Sequence, residues 1–395
     1  MPTVGAGTVN TEFEILTGMR QHDFGVSEYP YKTVLKSKTS ESICTDLKKL
    51  GYSTHAVHNN EATFYGRNTV FSNIGFDTFC SMEYMNGLTD SPNGWSNDDV
   101  LSREIMKTLD STSGPDFTMA ITVQSHGKYD GIALDDPTIK VTGAPEGKEQ
   151  AYEYYVNEIH EVDRMIDTLI KELSNRKEET VLVLYGDHLP SLDIQKDDLS
   201  NANLYQTQYV VWDNMNLKKK TKNLHAYQLY AEVLDRIQIH EGMITKYHQQ
   251  TKHRSKLYLT GLTTLSYDLL YGDNYAYDGE NPFKQTELQM GTEPVKLTSV
   301  QKTKSGYRVV GSGFTPYCKV YYDGTLVESE WISSECLQLQ DEFELDEADK
   351  KDSGEPETEV TEPRDVPNAF VVEVQSDDGV VLSSTQAYPA SQVKK

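Results

Sequence analysis

Apolar runs that stop abruptly at polar, chemistry-bearing residues set the rhythm of this sequence. Residues 180–184 break into Tyr185-Gly186-Asp187-His188-Leu189-Pro190, the pattern of a fully buried strand followed by a sharp turn. Residues 117–123 repeat it and end in Gln124-Ser125-His126-Gly127. Residues 52–58 and 205–212 predict two further strands. Between them, Val156, Ile159, Val162, Ile166, Leu169, Ile170 and Leu173 fall on one stripe of a long helix over 152–173. Residues 33–50, ended by Gly51, also read as an amphipathic helix, and 224–237 and 255–270 as helical. Near the start, Thr11 and Glu14 have capping-box spacing, which predicts a helix beginning near Thr8 to Thr11 and stopping near Gly18. Strands alternating with helices imply an α/β fold, a mainly parallel sheet sandwiched by helices.

From about residue 295 the pattern shortens. Strands over 295–300, 306–311, 318–322, 369–374 and 380–382 are separated by Ser312-Gly313, Asp323-Gly324 and Asp378-Gly379, the spacing of a small all-β sandwich. An acidic, proline-containing insertion at about 340–366 has no apolar periodicity and predicts a mobile loop. The expected division is 1–293 for the α/β domain, 294–387 for the sandwich and 388–395 for a tail.

Charge narrows the partners. The chain of 395 residues carries 37 basic against 61 acidic side chains, a net −24. Sequence-independent nucleic-acid binding and polybasic adhesion to anionic membranes both need the opposite sign. No apolar run approaches a membrane span, and no signal segment opens the chain. Cys44, Cys80, Cys318 and Cys336 show no zinc-like spacing, although Cys318 and Cys336 are close enough in sequence to pair within the sandwich.

Ligands of open α/β sheets gather at the carboxyl ends of strands, where Asp187 and His188 fall. A carboxylate beside an imidazole suits Mn²⁺, Zn²⁺ or Fe, while an Asp turn cap with a solvent-facing His is the plain alternative. A second strand ending in a histidine, His126, makes that alternative harder to hold. Thr8, at a helix N-terminus, sits in a positive end-field that favours phosphate, or is simply an N-cap. His58 and Arg67 flank the polar stretch 59–66.

Taken together, Gly5-Ala6-Gly7-Thr8-Val9-Asn10-Thr11-Glu12-Phe13-Glu14-Ile15-Leu16-Thr17-Gly18 resembles the nucleophile motif of the lipoteichoic acid synthase family, phosphoglycerol transferases of the sulfatase and alkaline phosphatase superfamily. Phe64-Tyr65-Gly66-Arg67-Asn68, Ser125-His126-Gly127 and Tyr185-Gly186-Asp187-His188-Leu189-Pro190 resemble its later motifs in the same order, over roughly residues 3–290. The resemblance implies Thr8 as nucleophile and metal ligand, and Asp187 and His188 as further ligands of one Mn²⁺ or Mg²⁺. It assigns His58, Tyr65, Arg67 and His126 to the glycerol-phosphate pocket. It implies transfer from phosphatidylglycerol to a glycerol-phosphate polymer or glycan acceptor, on the extracytoplasmic face of a bacterial cell membrane. The sandwich, through Gly311-Ser312-Gly313-Phe314-Thr315, resembles immunoglobulin-like IPT/TIG modules.

One departure stands out. The family places a strand ending in a metal-ligating Glu well before the nucleophile, preceded by membrane helices, whereas here seven residues precede Thr8. The expectation is the C-terminal part of a longer enzyme, with sheet edge and apolar surface left open. A phosphodiesterase or phosphoethanolamine transferase of the same superfamily, and a non-catalytic envelope scaffold, are the competing readings.

Overall fold

A computed structural model describes residues 1, 3, 7–25, 28–253, 255–340, 343–345 and 362–394. Four parallel strands carry the first domain: β1 (Ser53–His58), β2 (Thr78–Ser81), β3 (Asp116–Ile121) and, much later in the chain, β6 (Gln289–Met290), in the order β3-β1-β2-β6. Between β3 and β6 come β4 (Val181–Tyr185) and β5 (Tyr209–Asp213), which pair with each other and run antiparallel. Among the described residues β3 is paired only with β1 and β4 only with β5, so each keeps one open edge. The sheet is therefore mainly parallel but divided. β4 is half-buried along its length rather than fully buried, because no strand lies on its far side.

Helix α1 (Thr8–Thr17) follows the sequence pattern but not the expected cap. Gly7 stands at its N-cap with no side-chain hydrogen bond, and the Thr11–Glu14 capping box does not form. Thr11 instead reaches another segment, and Glu14 accepts from the Gln21 N–H. Gly18 ends the helix at φ +69, where a Cβ would lie 2.7 Å from Ile244 and 2.8 Å from Tyr230. A left-handed residue crowded on both sides must be glycine. Every residue from Val9 to Thr17 is buried, with Phe13 and Leu16 in a core shared with Phe71, Phe76 and Phe79. Each such side chain contributes about 1.5–3 kcal/mol of apolar burial.

The helix expected over 33–50 is broken. A single 3-10 turn spans Val34–Lys36, and α2 covers only Ile43–Lys48. Ser42 stops it from extending backwards: its Oγ accepts from the Cys44 and Thr45 N–H groups, and Thr45 Oγ1 accepts from the Ser42 N–H. Such a box fixes Ser42 as a start. α3 (Arg67–Asn73), α4 (Asp99–Asp110), α5 (Glu149–Asn175), α6 (Leu229–Arg236), α7 (Met243–Gln250) and α8 (Lys256–Leu270) complete the layers. α5 spans the divided sheet, since Met165, Leu169 and Leu173 pack in one cluster with Val57 of β1, Leu182 of β4 and Trp212 of β5.

The C-terminal region is two facing antiparallel sheets. One orders β10 (Thr325–Val327), β9 (Cys318–Tyr322), β13 (Ala369–Gln375) and β14 (Val381–Ser384), with β15 (Tyr388–Pro389) also on β13. The other orders β11 (Ser329–Ser333), β12 (Cys336–Leu339), β8 (Gly306–Ser312) and β7 (Lys296–Thr303). Val300, Val309, Phe314, Val320, Leu337, Phe370 and Val372 fill the space between them. Most of the acidic insertion lies outside the described residues. All four cysteines are free, so Cys318 and Cys336 do not pair. The two regions meet at the segment after β2, where Thr315 Oγ1 donates to the Glu83 carbonyl (2.6 Å), Asn86 Nδ2 to the Phe314 carbonyl (3.1 Å), and Tyr84 and Ser383 hydroxyls bond at 2.7 Å. Among the described residues no helix is long and apolar enough to cross a membrane.

Candidate active site

The N-terminus of α1 rests against the turn after β4. Thr11 Oγ1, one turn into the helix from Thr8, donates to the Asp187 carbonyl at 2.9 Å. Thr8 itself is half-buried at the first helical position, beside the free N–H groups of that end. A Cβ on Gly7 would lie 3.4 Å from both Asn10 Nδ2 and the Tyr29 ring, so backbone and aromatic surface come close together next to Thr8.

Asp187 and His188 form a compact donor pair. Asp187 Oδ1 accepts from the His188 N–H (2.9 Å), and His188 Nδ1 lies 2.8 Å from the Leu189 carbonyl. A carbonyl only accepts, so Nδ1 carries the hydrogen, and Nε2 lies 3.4 Å from Asp187 Oδ2. The donor chemistry, a carboxylate, an imidazole and the Thr8 hydroxyl, is of the kind that suits a divalent ion tolerating mixed N/O ligands. Among the described residues no group of three or more His, Cys, Asp or Glu side chains is placed to hold a metal ion.

Arg67 is the largest fully buried side chain among the described residues, and its partner is a residue on α1. Its Nη2 donates to Glu12 Oε2 at 2.9 Å and its Nε to both Glu12 oxygens at 3.3 Å, while Nη1 is buried with no partner. An orphaned guanidinium nitrogen is costly to bury and marks where an acceptor is wanted. The Tyr65 ring lies 5.4 Å from the guanidinium carbon and 5.3 Å from Lys32 Nζ, a cation on either approach. Tyr65 holds φ +61, a left-handed conformation that its side chain disfavours. His58, at the end of β1, is buried and bonds through Nδ1 to the Ile121 carbonyl at 2.9 Å. Burial, followed by the Arg67 charge, pushes its pKa well below the ordinary histidine value, so it is neutral.

His126 is exposed, and its loop abuts the Asp187 turn: a Cβ on Gly127 would lie 2.5 Å from Ser191 Oγ. The residues singled out from the sequence thus fall at one end of the domain. The Thr8 helix meets the Asp187-His188 turn through Thr11, Arg67 is tied to that helix through Glu12 and to Tyr65 through its guanidinium, and the His126 loop abuts the turn through Gly127 and Ser191.

The comparisons with known proteins bear on this arrangement. The family model described as Sulfatase matches residues 2–239. The chain belongs to the sulfatase family. It is 31% identical over 237 residues to a putative cyclic beta-1,2-glucan modification protein of Rhizobium meliloti, covering 55% of this chain and 36% of that protein. It is 24% identical over 199 residues to lipoteichoic acid synthase 2 of Bacillus subtilis, covering 49% and 30%. The chain therefore spans about a third of the length of these curated relatives. Among solved structures, the Streptococcus pyogenes phosphoglycerol transferase GacH, in complex with sn-glycerol-1-phosphate, superposes with a TM-score of 0.58 at 20% identity. That match covers 72% of this chain and 79% of GacH, and it shows the shared fold.

In this sulfatase-family domain, the pairing of Glu12 with Arg67 and the buried Asn10 are not among the expectations from sequence. Glu12 lies four residues after Thr8, hence on the same helix face, a signal the spacing did carry. Asn10, beside Gly7, also has a buried Oδ1 without a hydrogen-bond partner among the described residues. Trp95 and Asp98 had no sequence signal and are bound to the His126 loop only by the fold.

Proposed function

We propose that this chain is the catalytic part of a metal-dependent phosphoglycerol transferase that moves phosphoglycerol from phosphatidylglycerol to a hydroxyl of a glycerol-phosphate polymer or glycan. The observation that carries the reading is the Thr11–Asp187 bond, which seats the hydroxyl-bearing helix end on the Asp187-His188 turn. Membership of the sulfatase family and the printed names of its relatives support the reaction class. The name of the Rhizobium meliloti relative supports a glycan acceptor.

Thr8, Asp187 and His188 are the residues that would hold the ion. When bound, a divalent ion lowers the pKa of a coordinated hydroxyl and offsets charge on phosphoryl oxygens. Thr8 Oγ attacks phosphorus as the bond to the diacylglycerol oxygen breaks, and that oxygen leaves as diacylglycerol after taking a proton. An acceptor hydroxyl then attacks the same phosphorus, loses its proton and frees Thr8. Arg67 Nη1 supplies a donor for the phosphoryl oxygens, and His58, neutral and buried, supplies a hydrogen-bond acceptor for a glycerol hydroxyl. The reaction belongs on the outer face of a bacterial membrane, where the lipid donor is presented. The test is mass spectrometry of the chain after incubation with phosphatidylglycerol vesicles and Mn²⁺. A phosphoglycerol adduct on the Thr8 peptide is expected. Diacylglycerol release without any adduct on Thr8 would reject the covalent route, and no release at all would reject the transferase reading of this chain.

A further inference from the structure

The second half of the loop between β2 and α4 does nothing in the mechanism above, yet it is bonded to the His126 segment through Asn93, Trp95 and Asp98. At its base, the buried Asp98 carboxylate accepts from the N–H groups of Val123 (2.9 Å) and Gln124 (3.3 Å), and Gln124 Oε1 accepts from the Asp98 N–H (2.8 Å). Asn59 Nδ2, just after β1, donates to Asp98 Oδ1 and to the carbonyls of Ser96 and Asn97. At its tip the loop is closed on itself. The Ser91 N–H donates to the Trp95 carbonyl (2.7 Å), and Ser91 Oγ lies 2.6 Å from Asn93 Oδ1 and 2.8 Å from that same carbonyl. This rigid tip presents two donors. Asn93 Nδ2 donates to the His126 carbonyl at 2.9 Å, and Trp95 Nε1 to the Gly127 carbonyl at 3.0 Å. The Gly127 carbonyl is also 2.7 Å from His126 Nδ1, and the Trp95 and His126 rings meet edge to face at 4.9 Å.

We propose that Trp95 and Asn93 are positioning residues for His126. Trp95 fixes the Gly127 carbonyl that the His126 Nδ1–H binds and Asn93 fixes the carbonyl of His126 itself, which leaves Nε2 turned to the group being transferred. The tautomer follows from the partner: a carbonyl cannot donate, so Nδ1 carries the hydrogen whether the ring is neutral or charged. Neutral, Nε2 accepts from a polyol hydroxyl; protonated, it donates to a phosphoryl oxygen. The His126 side chain is exposed and has no other hydrogen bond among the described residues. Without the loop its orientation would be set by solvent. The role of Nε2 rests on the phosphoglycerol-transfer reading; the positioning itself does not.

The test has two arms on the whole chain. Long-range imidazole nitrogen NMR of ¹⁵N-labelled protein is expected to show His126 as the Nδ1–H tautomer. Trp95→Phe, which keeps an aromatic ring and loses the donor, and Asn93→Ala, on the more exposed side of the loop, are each expected to give a mixture with the Nε2–H form. A wild-type Nε2–H tautomer, or a wild-type pattern retained in both variants, would overturn the proposal. In the second arm, turnover of phosphatidylglycerol vesicles is measured. Trp95→Phe lowers kcat/KM by on the order of tenfold when His126 is present and not at all in a His126→Ala background. Independent, multiplying losses would overturn the coupling. Absence of turnover in the wild type strikes the transfer reading alone and leaves the NMR arm to decide the positioning.

Discussion

The Glu12 carboxylate and the Arg67 guanidinium meet at 2.9 Å with 1% of either side chain exposed. One residue follows Thr8 by a helical turn, and the other opens α3 beside Tyr65. The pair therefore holds two parts of the site at a fixed separation. Tyr31 is pulled into the same environment: burial, then the Glu12 charge, pushes its phenol well above its ordinary pKa.

Glu12→Gln leaves a buried guanidinium without its counter-charge. Loss of about 3–5 kcal/mol of stability is expected, read as a lower urea midpoint with an unchanged slope. The double variant Glu12→Met with Arg67→Met recovers most of that stability and no transfer activity. An unchanged midpoint in Glu12→Gln would show that the pair contributes nothing to the fold.

Thr8→Ala removes one hydroxyl from a half-buried helix start, and the N-cap belongs to Gly7. Transfer falls by on the order of a thousandfold or more, while the thermal midpoint stays near that of the wild type. Retained turnover in this variant would reject Thr8 as nucleophile.

Calorimetric titration of Mn²⁺ is expected to give saturable binding to the wild-type chain and none to Asp187→Ala. His188→Ala weakens it, because one of the two facing donor atoms is lost. Equal heats in wild type and Asp187→Ala would place the ion elsewhere.

Two buried carboxyls, Glu14 and Asp46, contribute to the pH dependence of stability. Burial pushes Glu14 up to about 8. Burial, and then the Glu41 charge, raises Asp46 to about 8. The native chain thus holds protons that the unfolded chain has released. Their contribution is fully present below the ordinary carboxyl range and fades as pH rises from about 4 to about 8. Unfolding midpoints at about pH 5 and about pH 8.5 should differ in that sense, and Glu14→Gln or Asp46→Asn should flatten the slope. Stability that increases across the window contradicts the assignment.

The sequence exposed those parts of the site that depend on strand ends. Asp187, His188 and His126 announced themselves because an apolar run cannot continue through them, and Thr8 because a helix pattern begins there. Local competition was less visible: Ser42 captured the backbone that a continuous 33–50 helix would have used. Partners brought from afar were invisible. Trp95 precedes Gly127 by 32 residues and Glu12 precedes Arg67 by 55, distances no periodicity can carry. The division of the sheet was legible only as an expected open edge, since periodicity registers a strand but not its neighbour.

Tyr84 packs against the cores of both regions, its hydroxyl on Ser383 and its ring so close to Gly291 that a Cβ there would lie 2.6 Å away. The seam between the α/β domain and the sandwich therefore does not follow the chain. A cut near residue 293 separates the polypeptide cleanly and the protein badly: one half would keep a bare tyrosine, the other an unfilled socket. Anyone wishing to express either half alone would do better to redesign that face first.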